Sequence, residues 1–210
     1  MMIIPESPEA LAEAVEILRS GGTVIHATET CYGLTCDLTN EDAVKDLFDV
    51  KKRPEDQPVS ALFTSLESAR TYVDVSPKAE ELFRKHLPGP LTIVLPKKNG
   101  APPLWLTASG GGEDAWIGVR ISSHPFAARL AEAYGKPIAT TSANLHGLPN
   151  PYSVDHVIAQ WHSIGPTPEL IIDDGPLPTT DPSTVIQVIG DQTNVLRVGA
   201  LQISVNSKNT

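Results

Sequence analysis

The chain has 210 residues, 40% hydrophobic and 20% charged, enough to bury one sizeable core, and it reads as a single domain over 1–210. No apolar run approaches the roughly 18 residues of a membrane span, and no cationic stretch precedes an apolar one at the N-terminus, so a membrane protein is excluded and a cytoplasmic chain expected. Sixteen Lys+Arg against 25 Asp+Glu give net charge −9, a field that repels polyanions and confines any nucleic-acid site to a local patch.

In chain order, Ser7-Pro8 opens a helix with Leu11, Ala14, Val15 and Leu18 on one face, and Gly21-Gly22 ends it. Residues 23–27 read as a strand. A second helix, capped by Thr39 or Asn40, turns Val44, Leu47 and Phe48 inward and runs into Lys51-Lys52-Arg53-Pro54. A short strand at 58–63 precedes a helix opened by Ser76-Pro77, carrying Ala79, Leu82, Phe83 and His86 and closed by Pro88-Gly89-Pro90. Residues 91–95 form an apolar strand, 107–115 a loop, 116–121 a strand, 125–134 a helix stopped at Gly135, and 138–141 a strand. Ser153 caps a helix with Val154, Val157, Ile158 and Trp161 inward, and strands follow at 170–172, 184–189 and 195–198. Helices interleaved with strands, some joined by short turns, imply an α/β fold with an open, twisted, mixed sheet flanked by helices.

Cys31 and Cys36 are too few for a disulfide framework and read as reduced structural residues. His26, His86, His124, His146, His156 and His162 lack zinc-type spacing, so no protein-ligated metal is expected. Gly110-Gly111-Gly112 is not a dinucleotide fingerprint; it reads as a surface loop or as a lid over a site. Lys51 and Arg53, two apart in a non-helical Arg-Pro turn, project in a similar direction and either hold one anionic group or form a solvated basic turn. Ser142 and Asn144 close a strand in the run T-T-S-A-N, which suits turn capping and ligand binding equally. Arg120 lies inside the apolar strand I-G-V-R-I, where it needs an anionic ligand or a protein carboxylate. The segment T-E-T-C-Y-G from Thr28 to Gly33 is a turn or a pocket wall.

The segments A-T-E-T-C-Y-G-L, K-K-R-P, P-G-P-L-T-I-V-L-P, G-V-R-I, K-P-I-A-T-T-S-A-N-L-H-G-L-P, P-S-T-V-I and V-L-R-V-G-A occur in this order. Their succession resembles the Sua5/YciO/YrdC superfamily over nearly the whole chain, and within it the short YrdC (TsaC)-type L-threonylcarbamoyladenylate synthases. K-x-R joined with S-x-N is specific where either alone is weak. The chain departs from the family pattern at Ala27 and Ser122, usually proline, and at Leu62, often histidine in the Sua5 branch. By this resemblance the C-terminal domain of the Sua5 branch is expected to be absent, and Asn144 sets the chain apart from the YciO branch.

The resemblance implies a YrdC-like sheet with a concave pocket, in which L-threonine, bicarbonate and ATP give threonylcarbamoyl-AMP and pyrophosphate. It implies that Lys51, Arg53, Ser142 and Asn144 are catalytic and bind nucleotide, that Thr28, Thr30, Tyr32 and Arg120 serve threonine, and that Ser183, Thr184 and Arg197 lie toward the nucleotide. Mg²⁺ accompanies ATP, Lys51 and Arg53 stabilise developing charge, and no covalent nucleophile is required. A tRNA threonylcarbamoyl-transferase complex acts downstream, with weak or no direct tRNA binding by this chain. The alternative is an RNA-binding, translation-associated module with a basic patch at Lys51, Lys52, Arg53, Lys97 and Lys98; a hydrogenase-maturation carbamoyl-transfer domain normally sits in a much longer chain.

Overall fold

The structure, a computed structural model, describes residues 1–106, 116–161 and 165–203; the predicted loop at 107–115 and His162 lie outside the described residues. Among the described residues ten strands form one mixed sheet: β1 (Met2–Pro5), β2 (Val24–Ala27), β3 (Tyr32–Thr35), β4 (Ser60–Leu62), β5 (Leu91–Pro96), β6 (Trp116–Arg120), β7 (Ile138–Ser142), β8 (Leu170–Asp173), β9 (Thr184–Ile189) and β10 (Gln192–Arg197). Their order is β1-β8-β2-β3-β7-β4-β6-β5-β9-β10. The pairs β1–β8, β2–β8, β4–β6 and β5–β9 are parallel, whereas β2–β3, β3–β7, β4–β7, β5–β6 and β9–β10 are antiparallel.

The helices are α1 (Pro8–Arg19), α2 (Glu41–Lys51), α3 (Leu66–Ala69), α4 (Pro77–His86), α5 (Pro125–Tyr134) and α6 (Val154–Gln160). Side chains of Ser7, Asn40, Ser65, Ser76 and Ser153 accept backbone N–H bonds at their N-termini, and Gly135 closes α5 with φ 77°. Strands β1 and β3 and the single-turn α3 add to the predicted elements. β10 begins at Gln192 and ends at Arg197, where the sequence predicts 195–198.

Side chains alternate across the sheet, so each strand feeds two layers. On one face Ile25, Ala61, Ile93, Val119 and Ala139 share a core with Val44 and Leu47 of α2, Leu82 and Phe83 of α4 and Val157 of α6. On the other, Val24, Leu62, Ile138 and Leu170 pack beneath Ala14 and Leu18 of α1 and Phe126 and Leu130 of α5. Those two helices cover the β8–β2 half of their face. Farther along the sheet the inward positions change character: Thr140, Ser60, Gly118, Thr92 and Val185 leave its floor low and polar, and a cavity of about 480 Å³ stands above it.

Candidate active site

Gly118 makes the floor possible. A Cβ there would meet Ser60 Oγ at 2.9 Å and Thr92 Cγ2 at 3.2 Å, so its absence lets both hydroxyl-bearing residues close over β6. The register sets the rest: Ser60 lies opposite Thr140, Thr92 opposite Val185, and Val185 opposite Arg197.

Three arginines surround this floor. Arg53, in the turn after α2, donates from Nε to Gln57 O at 2.8 Å and from Nη2 to Pro58 O at 3.0 Å. Arg197 donates from Nε and Nη2 to Ser183 O at 3.1 and 2.9 Å, and from Nη2 to Ser183 Oγ at 3.0 Å. Burial lowers the pKa of both, and charge repulsion lowers each further, from Arg197 on Arg53 and from Arg120 on Arg197. Arg120 donates from Nη2 to Glu29 Oε1 at 2.8 Å and to Thr30 Oγ1 at 3.0 Å, while its buried Nε has no partner among the described residues. The protein carboxylate and the ligand-facing position, posed as alternatives for Arg120, therefore coexist: it is paired with Glu29 and also lines the cavity. Burial alone would raise Glu29, but Arg120 and the Ser122 hydroxyl together hold its carboxyl below the usual value. Among the described residues none that lines the cavity is acidic, so this described lining is cationic within a chain of net charge −9.

Lys51 differs from expectation. It is the last residue of α2, 2% exposed, and its ammonium donates to Ser142 O at 2.6 Å, Asn144 O at 2.8 Å and Asn144 Oδ1 at 3.0 Å. Burial, then the charge of Arg53, pull its pKa down to about 7. Asn144 also accepts from Ser142 Oγ and donates to Leu145 O at 3.0 Å and Leu148 O at 2.6 Å. Lys51 and Asn144 thus build the wall, while Arg53 and Ser142 line the space. They do not form the paired cations of one exposed turn, because the helix continues through Lys51 and Lys52 takes the left-handed cap at φ 53°.

Of the other predicted residues, Thr30 and Ser183 line the cavity, and Thr28, Tyr32 and Thr184 stand behind it. Thr28 Oγ1 closes its own turn, donating to Cys31 O at 2.7 Å and accepting from Thr30 N at 3.2 Å. Tyr32 is buried in the core, where its hydroxyl donates to Gly175 O at 2.7 Å and accepts from Asp174 N at 3.1 Å; burial pushes its pKa up to about 12. Thr184 Oγ1 donates to Leu201 O at 2.6 Å and accepts from Gly199 N at 3.1 Å, fixing the chain after β10. Ser60, Thr92, Thr141 and Trp116 line the cavity without having been singled out in the sequence. Hydroxyls alternating with apolar residues in short strands were the available signal, readable only once the strands are paired.

Buried Cys31 also borders the cavity, and burial raises its thiol pKa, so it is a poor nucleophile. The site therefore offers fixed cations and hydroxyl donors, chemistry suited to holding a polyanion against a second substrate.

The family model Sua5_yciO_yrdC, described as "Telomere recombination", matches residues 16–199. A threonylcarbamoyl-AMP synthase of Escherichia coli O6:H1 is 35% identical over 161 residues, 75% of this chain and 82% of that protein. The structure of P. abyssi Sua5 complexed with L-threonine superposes with TM-score 0.82 at 34% identity, covering 95% of this chain and 58% of that one. E. coli YciO superposes with TM-score 0.79 at 28% identity, covering 94% of each chain.

Proposed function

The chain belongs to the Sua5/YciO/YrdC family, and we propose that it is a threonylcarbamoyl-AMP synthase acting on L-threonine, bicarbonate and ATP. The observation that carries this reading is the cavity's charge: Arg53, Arg120 and Arg197 converge on one space, with no acidic side chain among the described residues that line it. The likeness to a Sua5 complexed with L-threonine and to synthases of E. coli supports the choice of substrates.

The amine of threonine adds to bicarbonate and water leaves, giving an N-carboxylate. One oxygen of that carbamate attacks the α-phosphorus of ATP as the bond to pyrophosphate breaks, so charge builds on the phosphate oxygens. Arg120, held by Glu29, takes the threonine carboxylate, with Thr30 beside it. Arg53 and Arg197, the latter braced on Ser183, hold phosphate oxygens in the preorganised way that lowers such barriers. Ser142 lines the phosphate side from the wall that Lys51 and Asn144 tie together. Thr28, Tyr32 and Thr184 support this constellation from behind. Mg²⁺ bound to ATP would neutralise part of the phosphate charge, while the cavity's own guanidinium and hydroxyl groups suit the phosphate oxygens rather than the ion.

The product is a mixed anhydride for a tRNA threonylcarbamoyl-transferase complex to consume; we place the chain in the cytoplasm, and its net charge of −9 supports little tRNA affinity of its own. Incubation with carbon-labelled bicarbonate tests the reading: a labelled AMP conjugate must form only when L-threonine and ATP are both present.

A further inference from the structure

Resting on the synthase reading, we propose that the Thr92–Ser183 hydroxyl pair is the subsite that receives the bicarbonate-derived carbamate. Thr92 and Ser183 are 2% and 4% exposed, both border the cavity, and their hydroxyl oxygens lie 3.3 Å apart. Arg197 Nη2 donates to Ser183 Oγ, and a guanidinium can only donate. The pair therefore holds two hydroxyl hydrogens and one bond between them. If Ser183 donates to Thr92, the Thr92 hydrogen is spare; if Thr92 donates, the Ser183 hydrogen is spare. Among the described residues either arrangement leaves one O–H without a protein acceptor at the edge of the cavity, and a desolvated donor calls for an acceptor from the ligand.

Position identifies that acceptor. The register that pairs Ile93 with Val119 puts Thr92 opposite Arg120, and the same row continues through Val185 to Arg197. With neighbouring strands about 4.8 Å apart, Thr92 stands one strand from the arginine at the threonine end and two from the arginine at the phosphate end. A carbamate linking the amino acid to the α-phosphorus occupies that interval. Gly118, with no Cβ, lets the Thr92 and Ser60 side chains close over β6 between the two arginines, which keeps the floor low where the carbamate would lie. A neutral hydroxyl also suits the chemistry: it anchors one carbamate oxygen without the full charge pairing that a guanidinium would impose on the nucleophile. Thr92 is on this account a positioning residue for the attacking group.

The experiment is steady-state kinetics of Thr92→Val, which keeps shape and strand propensity, alongside Thr92→Ala and Thr92→Ser. Thr92→Val and Thr92→Ala should raise the KM for bicarbonate by roughly 10-fold or more, with the KM for ATP and for L-threonine within about twofold of wild type. Thr92→Ser should restore bicarbonate use. A bicarbonate KM unchanged in the folded Val or Ala variant overturns the subsite, and so does an equal rise for ATP. A wild type that needs no bicarbonate overturns the synthase reading and the subsite together; an active wild type with a silent Thr92 removes only the subsite.

Discussion

The ammonium of Lys51 lies 3.0 Å from the side-chain oxygen of Asn144, a residue 93 positions along the chain, and takes the main-chain oxygens of Ser142 and Asn144 as well. The two halves of the K-x-R and S-x-N pattern are therefore one hydrogen-bonded unit, and only part of it faces the cavity.

Lys51 and Arg53 should fail in different ways. Lys51→Ala strands three oxygens and should lower stability by about 2–4 kcal/mol, seen as a drop of roughly 5–15 °C in Tm, with activity lost alongside. Arg53→Ala gives up bonds to two carbonyls at an exposed turn, so Tm should stay within about 3 °C while turnover falls roughly 30- to 1,000-fold. Equal thermal shifts in the two variants would contradict the division.

Glu29→Gln should weaken the hold on Arg120, destabilise the fold by about 3 kcal/mol, and raise the KM for L-threonine more than that for ATP. The pH dependence has a fixed sign. Glu29 titrates lower when folded than its unfolded value of 4.5, so its stabilisation is full above that value and lost as pH falls through the lower folded one. The stability difference between wild type and Glu29→Gln, measured by urea unfolding, should shrink over that acid range; a difference that widens there would refute the pairing.

Gly199 packs against the segment that carries Ser183. A Cβ there would stand 2.1 Å from Pro182 O and 2.8 Å from Ser183 O, contacts that force the strand apart. Gly199→Ala should loosen ATP binding measured by calorimetry, by more than it loosens threonine. Unchanged ATP affinity would detach this segment from the nucleotide.

Isolated protein should hold tRNA only in the non-specific range, with a dissociation constant of roughly 10⁻⁴ to 10⁻⁶ M at physiological salt, because the net charge is −9 and Arg53, Arg120 and Arg197 turn into the cavity. A fluorescence titration with labelled tRNA checks this. Nanomolar binding, insensitive to ATP and threonine, would favour an RNA-binding module.

Helices were the most legible part of the fold. Proline at the first position and glycine past the last bound α5 at Pro125–Tyr134, with its C-cap at Gly135. Strand β3 was hidden because its residues follow a polar turn without alternation. The polar residues Gln192 to Asn194 concealed the start of the exposed edge strand β10. At the site, residue types were readable and directions were not. Lys51 continues the 44, 47, 48 spacing onto the buried face of α2, a consequence obscured by reading the K-K-R-P run as a turn. Hydroxyls such as Thr92 acquire meaning only from register, which joins β5 to β9 across more than 90 residues of chain.

The most direct test is pyrophosphate release by the purified wild-type chain, followed with L-threonine, bicarbonate and ATP each omitted in turn. The nucleophile exists only after amine and bicarbonate combine, so release should require all three and should fall to background without any one. Undiminished release in the absence of threonine or bicarbonate would contradict the synthase.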